Sequence, residues 1–291
     1  MTYRVIDIET TGTDPEKDRI CEIAFVDVWD TSRYGNIFGK HWSSLVNPGI
    51  PMPPEASAVH HIIDEDVKSA PSFDEVVDEV FGPGTEVEVF VAHNAKFDSS
   101  FLPEQPAWIC TYKCALRVWP EFEKHSNQYL RYRLNLPVPR DVEVHRALGD
   151  ATVTAYLLVE LLKHATHEQM IEWSKEPPLF TILSFGKHKG ERWEDLPDDY
   201  LTWIVEKSDL DEDVKWNAFR HIKQRGYLTL MTGIMNINCH SRQHLEEQFG
   251  NDDEKKKRVE LGITRDSKVG RTLLDAYTAR WFDLKPSEQA A

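Results

Sequence analysis

The amino-terminal stretch 3–12 places two carboxylates on one face of a predicted strand. Its sequence, Tyr-Arg-Val-Ile-Asp-Ile-Glu-Thr-Thr-Gly, is an apolar run that carries Asp7 and Glu9 two residues apart. Side chains two apart in a strand point to the same face, and carboxylates so close repel each other unless a cation lies between them. The Thr-Thr-Gly that follows is a turn signal that lets backbone amides approach a ligand. Solvated acids on an edge strand are the alternative, so the interpretation depends on the rest of the chain.

Length and charge narrow the class of protein. The chain has 291 residues, enough for one full domain and a smaller one, with 41% hydrophobic and 29% charged residues as in ordinary globular proteins. Its formal net charge of −15 argues against a protein that coats nucleic acid by electrostatic attraction. An enzyme that reaches a phosphodiester through metal ions remains compatible with this charge, because such a site is itself acidic.

The cysteines and the apolar segments indicate a compartment. Cys21, Cys110, Cys114 and Cys239 show neither a disulfide framework nor zinc-site spacing, so we interpret them as free thiols in a reducing compartment. The carboxylate of Asp7 interrupts any signal-peptide apolar region, and no window reaches the roughly 18 apolar residues of a membrane span. We therefore expect a soluble, cytoplasmic protein without a membrane partner.

Alternating and periodic patterns predict an α/β domain. After the opening strand, strands are predicted at 19–27, 42–46, 86–92 and 107–110. The first three, joined by short turns, indicate an antiparallel meander. Helical patterns occur at 73–80, after Asn94 as the helix cap, at 112–119, and from about 146 to 163.

The carboxy-terminal part predicts a smaller module. Residues 166–178 indicate a connector, and 179–226 a hairpin, with a turn at 186–190, followed by an amphipathic helix. The last stretch, 227–291, is an additional tail of unknown role, in which 251–258 has a solvated composition and 273–282 a helical pattern.

Two further acids correspond to the opening pair. Asp98 lies at the start of the helix after the fourth strand, and Asp150 at the start of the helix that runs to about 163. Strand ends and helix starts are where an α/β sheet gathers a site. Four acids on one point require divalent metal, and oxygen ligands suit Mg²⁺ or Mn²⁺ rather than zinc. Two such ions ~3.5–4 Å apart can activate a water and stabilise the leaving oxygen at phosphorus.

His145 is the candidate general base. It precedes Asp150 by five residues, in the loop that leads into the same helix. A neutral imidazole there can accept the proton of the attacking water. A packed or surface histidine is the alternative, but it leaves the four acids at matching places unexplained.

Three ordered motifs resemble a known enzyme family. Asp-Ile-Glu-Thr-Thr-Gly, His-Asn-Ala-Lys-Phe-Asp and His-Arg-Ala-Leu-Gly-Asp are similar to the three motifs of the DEDDh 3′→5′ exonucleases. Trp-Ile-Cys-Thr, Leu-Arg-Val-Trp-Pro and Ser-Phe-Gly-Lys-His-Lys-Gly further resemble the exonuclease X branch of that family. The resemblance implies a ribonuclease-H-like mixed five-stranded sheet flanked by helices over 1–165, with 179–226 as the small C-terminal hairpin–helix module of that branch.

The resemblance also implies roles for individual residues. Asp7 would bridge two Mg²⁺ ions, with Mn²⁺ able to substitute; Glu9 and Asp150 would complete the shell of the first ion, Asp98 would hold the second, and His145 would be the base. Substrate contacts are expected from Thr10, Thr11, Gly12 and Asn94, with His60 a weaker candidate that is about as compatible with packing at a helix end.

The expected partner is DNA, which the enzyme would shorten from its 3′ ends to release nucleoside 5′-monophosphates. The motifs do not discriminate between sugars, so RNA is the alternative substrate. A non-catalytic nucleic-acid-binding adaptor is a third interpretation, which the intact acids argue against. The basic segment 113–140, with tyrosines among its arginines, is a candidate groove for the substrate backbone. The motifs leave the oligomeric state open.

Overall fold

The computed structural model describes the backbone of residues 1–31, 35–82 and 87–235, and the side chains of residues 1–29, 38–82 and 87–225. Predictions for 251–258 and 273–282 lie outside the described residues. The chain divides into a first compact unit, Met1–Thr181, and a second that begins at Ile182.

A mixed five-stranded sheet forms the centre of the first unit. Its strands are β1 (Thr2–Thr10), β2 (Ile20–Thr31), β3 (Gly35–Leu45), β4 (Val89–Ala92) and β5 (Trp108–Cys110). They lie side by side in the order β3-β2-β1-β4-β5. Strands β1, β2 and β3 pair antiparallel, whereas β4 and β5 run parallel to β1. The predicted meander and mixed five-stranded sheet are confirmed.

Strands β2 and β3 are longer than their patterns predict. Their ladder extends from Glu22↔Leu45 to Thr31↔Gly35 with a bulge between Val26 and Val28. The far end of β3 contains Gly39 and Lys40, residues that local propensity disfavours in strands. Pairing along β2 overrides this preference, because an antiparallel edge strand tolerates one solvated face.

Helices cover both faces of the sheet. They are α1 (Pro54–His60), α2 (Asp64–Val67), α3 (Phe73–Phe81), α4 (Ala95–Phe101), α5 (Thr111–Val118), α6 (Asn127–Arg133), α7 (Ala147–Leu161) and α8 (His167–Lys175). On one face, Tyr3 and Val5 of β1 pack in the same core as the apolar residues of α7. On the other, Ile6 and Ile8 pack with Val76 and Val80 of α3. Consecutive residues of β1 therefore serve two cores, as a central strand requires.

Helix α8 belongs to the first unit. The backbone N–H of Cys110 donates to Ser174 Oγ at 2.7 Å, and Lys113 Nζ donates to the Ser174 carbonyl oxygen at 2.8 Å. The segment 166–178, predicted as a connector, thus contributes a helix held against β5. The first unit extends past the predicted boundary at 165, because contacts to a distant strand are not visible in a local pattern.

The second unit contains α9 (Asp198–Lys207) and α10 (Glu212–Met235). The predicted hairpin is reduced to an isolated antiparallel bridge between Ile182 and Arg192. Gly186 and Gly190 take positive φ values in the turn between them, and Trp193 is buried beyond it. Helix α10 continues past the predicted boundary at 226 into the tail.

Two general properties concern the cysteines and the helices of the described part. Cys21, Cys110 and Cys114 are buried free thiols, as predicted; Cys239 lies outside the described residues. None of the described helices is both long and apolar enough to cross a membrane.

A buried ion pair joins β1 to β2 at the end of the ladder opposite to Glu9. Arg4 Nε and Nη2 donate to the two carboxylate oxygens of Asp27 at 2.8 and 2.9 Å, and Nη1 donates to the Val80 carbonyl oxygen. Both residues are less than a tenth exposed. Removing one partner of such a pair leaves the other charge buried without compensation.

We expect Arg4→Met to lower the free energy of unfolding by about 3–5 kcal/mol, because Asp27 would remain buried and unpaired. Urea unfolding followed by tryptophan fluorescence measures this loss. The control is Lys40→Met, which breaks an exposed pair with Glu79 and should change the free energy by less than about 1 kcal/mol. Equal losses in the two variants would contradict the prediction.

Candidate active site

Strand β1 carries Asp7 and Glu9 in line with Tyr3 and Val5, on the face that α7 covers. The row changes from apolar to acidic at the end of the strand, where both carboxylates are half-buried. A bulge follows between Glu9 and Thr10. Bulges often re-aim side chains next to active sites.

Helix α7 brings Asp150 to this pair from its first turn. Oxygen atoms of Asp7, Glu9 and Asp150 all lie within 4.8 Å of one another. Asp150 Oδ1 accepts a hydrogen bond from Gln128 Nε2 at 2.9 Å, and Oδ2 accepts one from the backbone N–H of His145 at 3.0 Å. The carboxylate is therefore held in a defined orientation.

Asp98 comes from α4, the helix that follows β4. It lies in the first turn of α4 and is 3% exposed. Burial raises its pKa to about 8, opposed by hydrogen bonds from its own backbone and from the backbone of Ile8. The charge of Asp98 also raises the pKa of Asp7 and of Glu9. Asp98 therefore lies within electrostatic range of Asp7 and Glu9, while the three acids whose oxygens lie within 4.8 Å of one another are Asp7, Glu9 and Asp150.

The convergence changes how each acid titrates. Burial, followed by the charges of Asp98 and Asp150, holds the pKa of Asp7 well above its usual range. Burial and the charges of Asp150 and Glu22 raise the pKa of Glu9 to about 8. Burial also raises the pKa of Asp150. All the candidate ligand atoms are carboxylate oxygens, which hard divalent metal ions prefer. A bound cation would favour the charged form of each carboxylate.

His145 lies beside the acids in a strained backbone conformation. Its φ of 59° is in the left-handed region, which non-glycine residues occupy rarely and often at functional sites. Its side chain is exposed, while its amide is bound to Asp150. The structure therefore places an accessible imidazole next to the acidic cluster.

The turn after β1 is built by its own side chains. Thr10 Oγ1 donates to the Gly12 carbonyl oxygen at 2.6 Å, and Thr11 Oγ1 donates to Asp18 at 3.2 Å. A Cβ on Gly12 would come within 2.4 Å of the Asp18 carboxylate, so a larger residue there would displace the side chain that Thr11 binds. Both threonines are buried, at 8% and 2% exposure. Their hydroxyl groups shape the turn, and a contact with the terminal nucleotide remains a prediction.

Asn94 and His60 differ in what they can offer a substrate. Asn94 is exposed, has a φ of 74°, and precedes α4 without a side-chain capping hydrogen bond, so its amide is available. His60 is only 2% exposed; its Nδ1 accepts from the Ile62 N–H at 3.0 Å, and its ring hydrogen-bonds the backbone of Thr10. The substrate contact predicted for His60 is not supported, because the ring is packed under the turn.

Sequence reasoning missed three side chains that contact the site: Glu22, Gln128 and Arg146. Glu22 lies opposite Glu9 in the β1–β2 register and is 4% exposed. Its carboxylate is bound by Arg146, the residue before α7. The available signal was a single acid within the apolar run Ile-Cys-Glu-Ile-Ala.

The basic segment 113–140 is used partly for packing. Lys113 binds the carbonyl of Ser174, Arg117 binds Glu176 and the carbonyl of Pro177, and Arg131 binds the carbonyl of Pro139. These three cations are committed within the first unit. The predicted substrate groove therefore has three fewer cations to offer a nucleic-acid backbone than the sequence indicated.

The chain belongs to the Exonuclease family. The sequence model of that family, RNase_T, matches residues 5–158, more than half of the chain. The match contains all four predicted acids and His145. The predicted enzyme class, a 3′→5′ exonuclease of the DEDDh type, is confirmed.

Individual relatives agree with this assignment. Exodeoxyribonuclease 10 of Escherichia coli K12 is 39% identical over 214 residues, which cover 71% of this chain and 91% of that protein. The structure of exonuclease X in complex with 5′ overhanging duplex DNA is 36% identical, covers 59% of this chain and 99% of that one, and has a TM-score of 0.49. The identity to exodeoxyribonuclease 10 confirms the predicted resemblance to the exonuclease X branch.

A more distant solved structure shares the fold. Exonuclease I of E. coli in complex with a dA16 oligonucleotide is 14% identical, with a TM-score of 0.50 over 99% of this chain and 88% of that one. The ribonuclease-H-like fold class is confirmed.

The raised pKa values predict an unusual pH dependence of stability in the absence of metal. A carboxyl with a higher pKa in the folded than in the unfolded chain binds more protons when folded, so the free energy of unfolding falls as the pH rises between the two values. For Glu9 and Asp98 this window runs from about 4 to about 8. In chelator, we expect the melting temperature to fall across it, and Mg²⁺ to raise the temperature most near its upper end.

Differential scanning fluorimetry across this pH range, with chelator and with Mg²⁺, measures both effects. The matched control is Asp98→Asn, which removes one titrating acid and should flatten the slope in chelator. A slope identical to that of the unmodified chain would mean that Asp98 does not hold a proton in the folded state.

Proposed function

We propose that this enzyme is a metal-dependent 3′→5′ exodeoxyribonuclease that releases nucleoside 5′-monophosphates from DNA ends. The observation that carries the proposal is the approach of Asp7, Glu9 and Asp150 to within 4.8 Å of one another, with buried Asp98 beside them. Acids placed so closely repel one another unless a cation neutralises them. A protein that only binds nucleic acid has no need of such an arrangement.

The four acids would hold two Mg²⁺ ions, with Mn²⁺ as a substitute. Asp7 is proposed as the shared ligand, because its carboxylate lies within 4.8 Å of those of Glu9 and Asp150 and the charge of Asp98 raises its pKa. Bound cations would supply a lowered pKa for the attacking water and charge stabilisation of the leaving oxygen. Glu9 and Asp150 are the ligands proposed for one ion and Asp98 for the other.

His145 is the proposed general base. Its amide is fixed by Asp150 and its side chain is exposed beside the acids, so its imidazole can reach a water that approaches the scissile phosphate. The ring would accept the proton of that water as its oxygen attacks phosphorus. Asn94 and the backbone of the turn at Gly12 are the proposed contacts of the terminal nucleotide.

The choice of DNA rests on the relatives. Exodeoxyribonuclease 10, by its name, acts on DNA, and this chain matches 91% of its length. The acids and the histidine do not themselves select a sugar, because selection at the 2′-hydroxyl depends on the shape of the pocket. RNA is therefore the competing substrate in the test.

We expect the enzyme to degrade 5′-labelled DNA to a ladder of shorter products in Mg²⁺, and to produce no ladder in chelator. Asp7→Asn should be inactive, because it removes the central negative charge while keeping the side-chain shape. A denaturing gel of the labelled oligonucleotide provides the measurement. A ladder that survives chelation, or persists unchanged in Asp7→Asn, would contradict the metal mechanism.

Two matched substrates identify the nucleic acid. An RNA oligonucleotide of the same sequence and label should be shortened more slowly than the DNA. Faster cleavage of the RNA would reassign the enzyme as a 3′→5′ exoribonuclease while leaving the site intact. Binding of both oligonucleotides without cleavage of either would favour a non-catalytic nucleic-acid-binding adaptor.

His145→Ala should lower kcat about 10²–10⁴-fold, the usual contribution of a general base, with Mn²⁺ affinity preserved because the carboxylates remain. Single-turnover kinetics and calorimetric titration with Mn²⁺ measure the two quantities separately. Replacement of His167, an α8 residue that pairs with Glu168, is the control and should leave kcat unchanged. Normal turnover in His145→Ala would remove it from this role.

A further inference from the structure

Glu22 is a buried carboxylate next to the acidic cluster that the proposed reaction does not use. It lies on β2 directly opposite Glu9. Its Oε1 accepts a hydrogen bond from Arg146 Nη2 at 2.6 Å, and its Oε2 accepts from Arg146 Nε at 3.0 Å and from the backbone N–H of Ala147 at 2.9 Å. The carboxylate is thereby engaged on both oxygens.

This engagement distinguishes Glu22 from the clustered acids. Both oxygens of Glu22 are bound by Arg146, whereas Asp7, Glu9 and Asp150 face one another with oxygens within 4.8 Å. A guanidinium bound in a two-pronged manner neutralises Glu22 and fixes its plane. Glu22 is therefore suited to hold another element in place.

The element that Glu22 holds is the start of α7. Arg146 is the extended residue immediately before this helix, and the amide of Ala147 is its first N–H. A carboxylate at this position satisfies a helix-end donor and interacts favourably with the helix dipole. The contact therefore anchors the start of α7 to β2 at Glu22, the residue opposite Glu9.

Both catalytic groups of this region depend on the anchored segment. The Arg146 carbonyl oxygen accepts from the amide of Asp150 at 3.0 Å, and Asp150 in turn accepts from the amide of His145. The incoming loop lies directly on the helix, because a Cβ on Gly149 would come within 1.7 Å of the Glu143 carbonyl oxygen. A shift of Arg146 would therefore move Asp150 and His145 together.

We infer that Glu22 and Arg146 form a positioning pair that sets the distance of Asp150 and His145 from the two acids of β1. Neither residue touches the reacting atoms; both act through the first turn of α7. The inference rests on the proposed function, since it assigns the purpose of the pair to metal binding and proton transfer at that site.

The test compares Arg146→Lys, Glu22→Gln and the double variant with the unmodified enzyme. Arg146→Lys keeps the charge but cannot form the two-pronged contact, and Glu22→Gln keeps the shape but loses the charge. Each should lower Mn²⁺ affinity about 10–100-fold, the usual effect of losing a partner behind a metal ligand. Each should lower kcat at saturating metal by about tenfold or more, with KM for the oligonucleotide little changed.

The double variant tests whether the two residues act as a unit. If they do, the double variant should be no less active than the less active of the two single variants, because either change already breaks the same contact. Losses that multiply would show that the residues act independently and would overturn the pair.

The matched control is Arg4→Lys. Arg4 makes a similar two-pronged contact with Asp27, between β1 and β2, but roughly 17 Å from Glu9 along β1. It should lose thermal stability while keeping Mn²⁺ affinity and kcat per folded molecule, with the folded fraction measured by circular dichroism. A purely structural role for Glu22 and Arg146 would give the same result as Arg4→Lys and would overturn the inference.

The two levels of interpretation fail in different ways. An unmodified enzyme that is inert toward DNA and RNA in Mg²⁺ would refute the proposed function. An active unmodified enzyme with Mn²⁺ affinity and kcat unaltered in Arg146→Lys would refute only the positioning role. If Glu22→Gln does not fold, Arg146→Lys decides the question by the same comparison with Arg4→Lys.

Discussion

Electrostatic repulsion among closely placed carboxylates is the constraint on which the site depends. Asp7, Glu9, Asp98 and Asp150 come from three separate elements. Burial raises the pKa of each, and the charges of neighbouring carboxylates raise those of Asp7 and Glu9 further. Chain folding has to force these groups together against their repulsion. The two apolar cores on either face of β1 supply that force, because burial of apolar surface stabilises the fold whether or not the site is neutralised.

The sheet topology explains why the acids meet at this place. β1 is central, with β2 antiparallel on one side and β4 parallel on the other. The chain leaves β4 directly into α4, so Asp98 arrives at the same end of β1 as Asp7 and Glu9. Helix α7 crosses the other face and begins at that end, where Glu22 of β2 receives its first N–H. Each neighbour of β1 thus contributes one side of the site.

Much of this arrangement could be predicted from the sequence, because the strand period, the helix starts and the ordered motifs are local signals. The four acids, His145 and the mixed sheet belong to this class. For His60 the sequence left packing and substrate contact as equal alternatives, and its burial decides for packing. The commitment of Arg117 to the Pro177 carbonyl could not be predicted, since the two residues are 60 apart in the chain. The role of Glu22 was not predicted, because its partner, Arg146, is 124 residues away in the chain. The extent of β3 and the membership of α8 in the first unit likewise follow from tertiary pairing.

The raised pKa values of Glu9 and Asp98 couple the site to the acidity of its surroundings. Around neutral pH these side chains hold protons when no cation is near, so a divalent ion that enters displaces protons into the solvent. Metal and protons then compete for the same oxygens, and acidification favours the protons. With metal bound as proposed, acidification would displace the metal, and with it the capacity to cut nucleic acid, in the range where the protonated carboxyls still stabilise the folded chain. Under that proposal the cluster would exchange metal for protons.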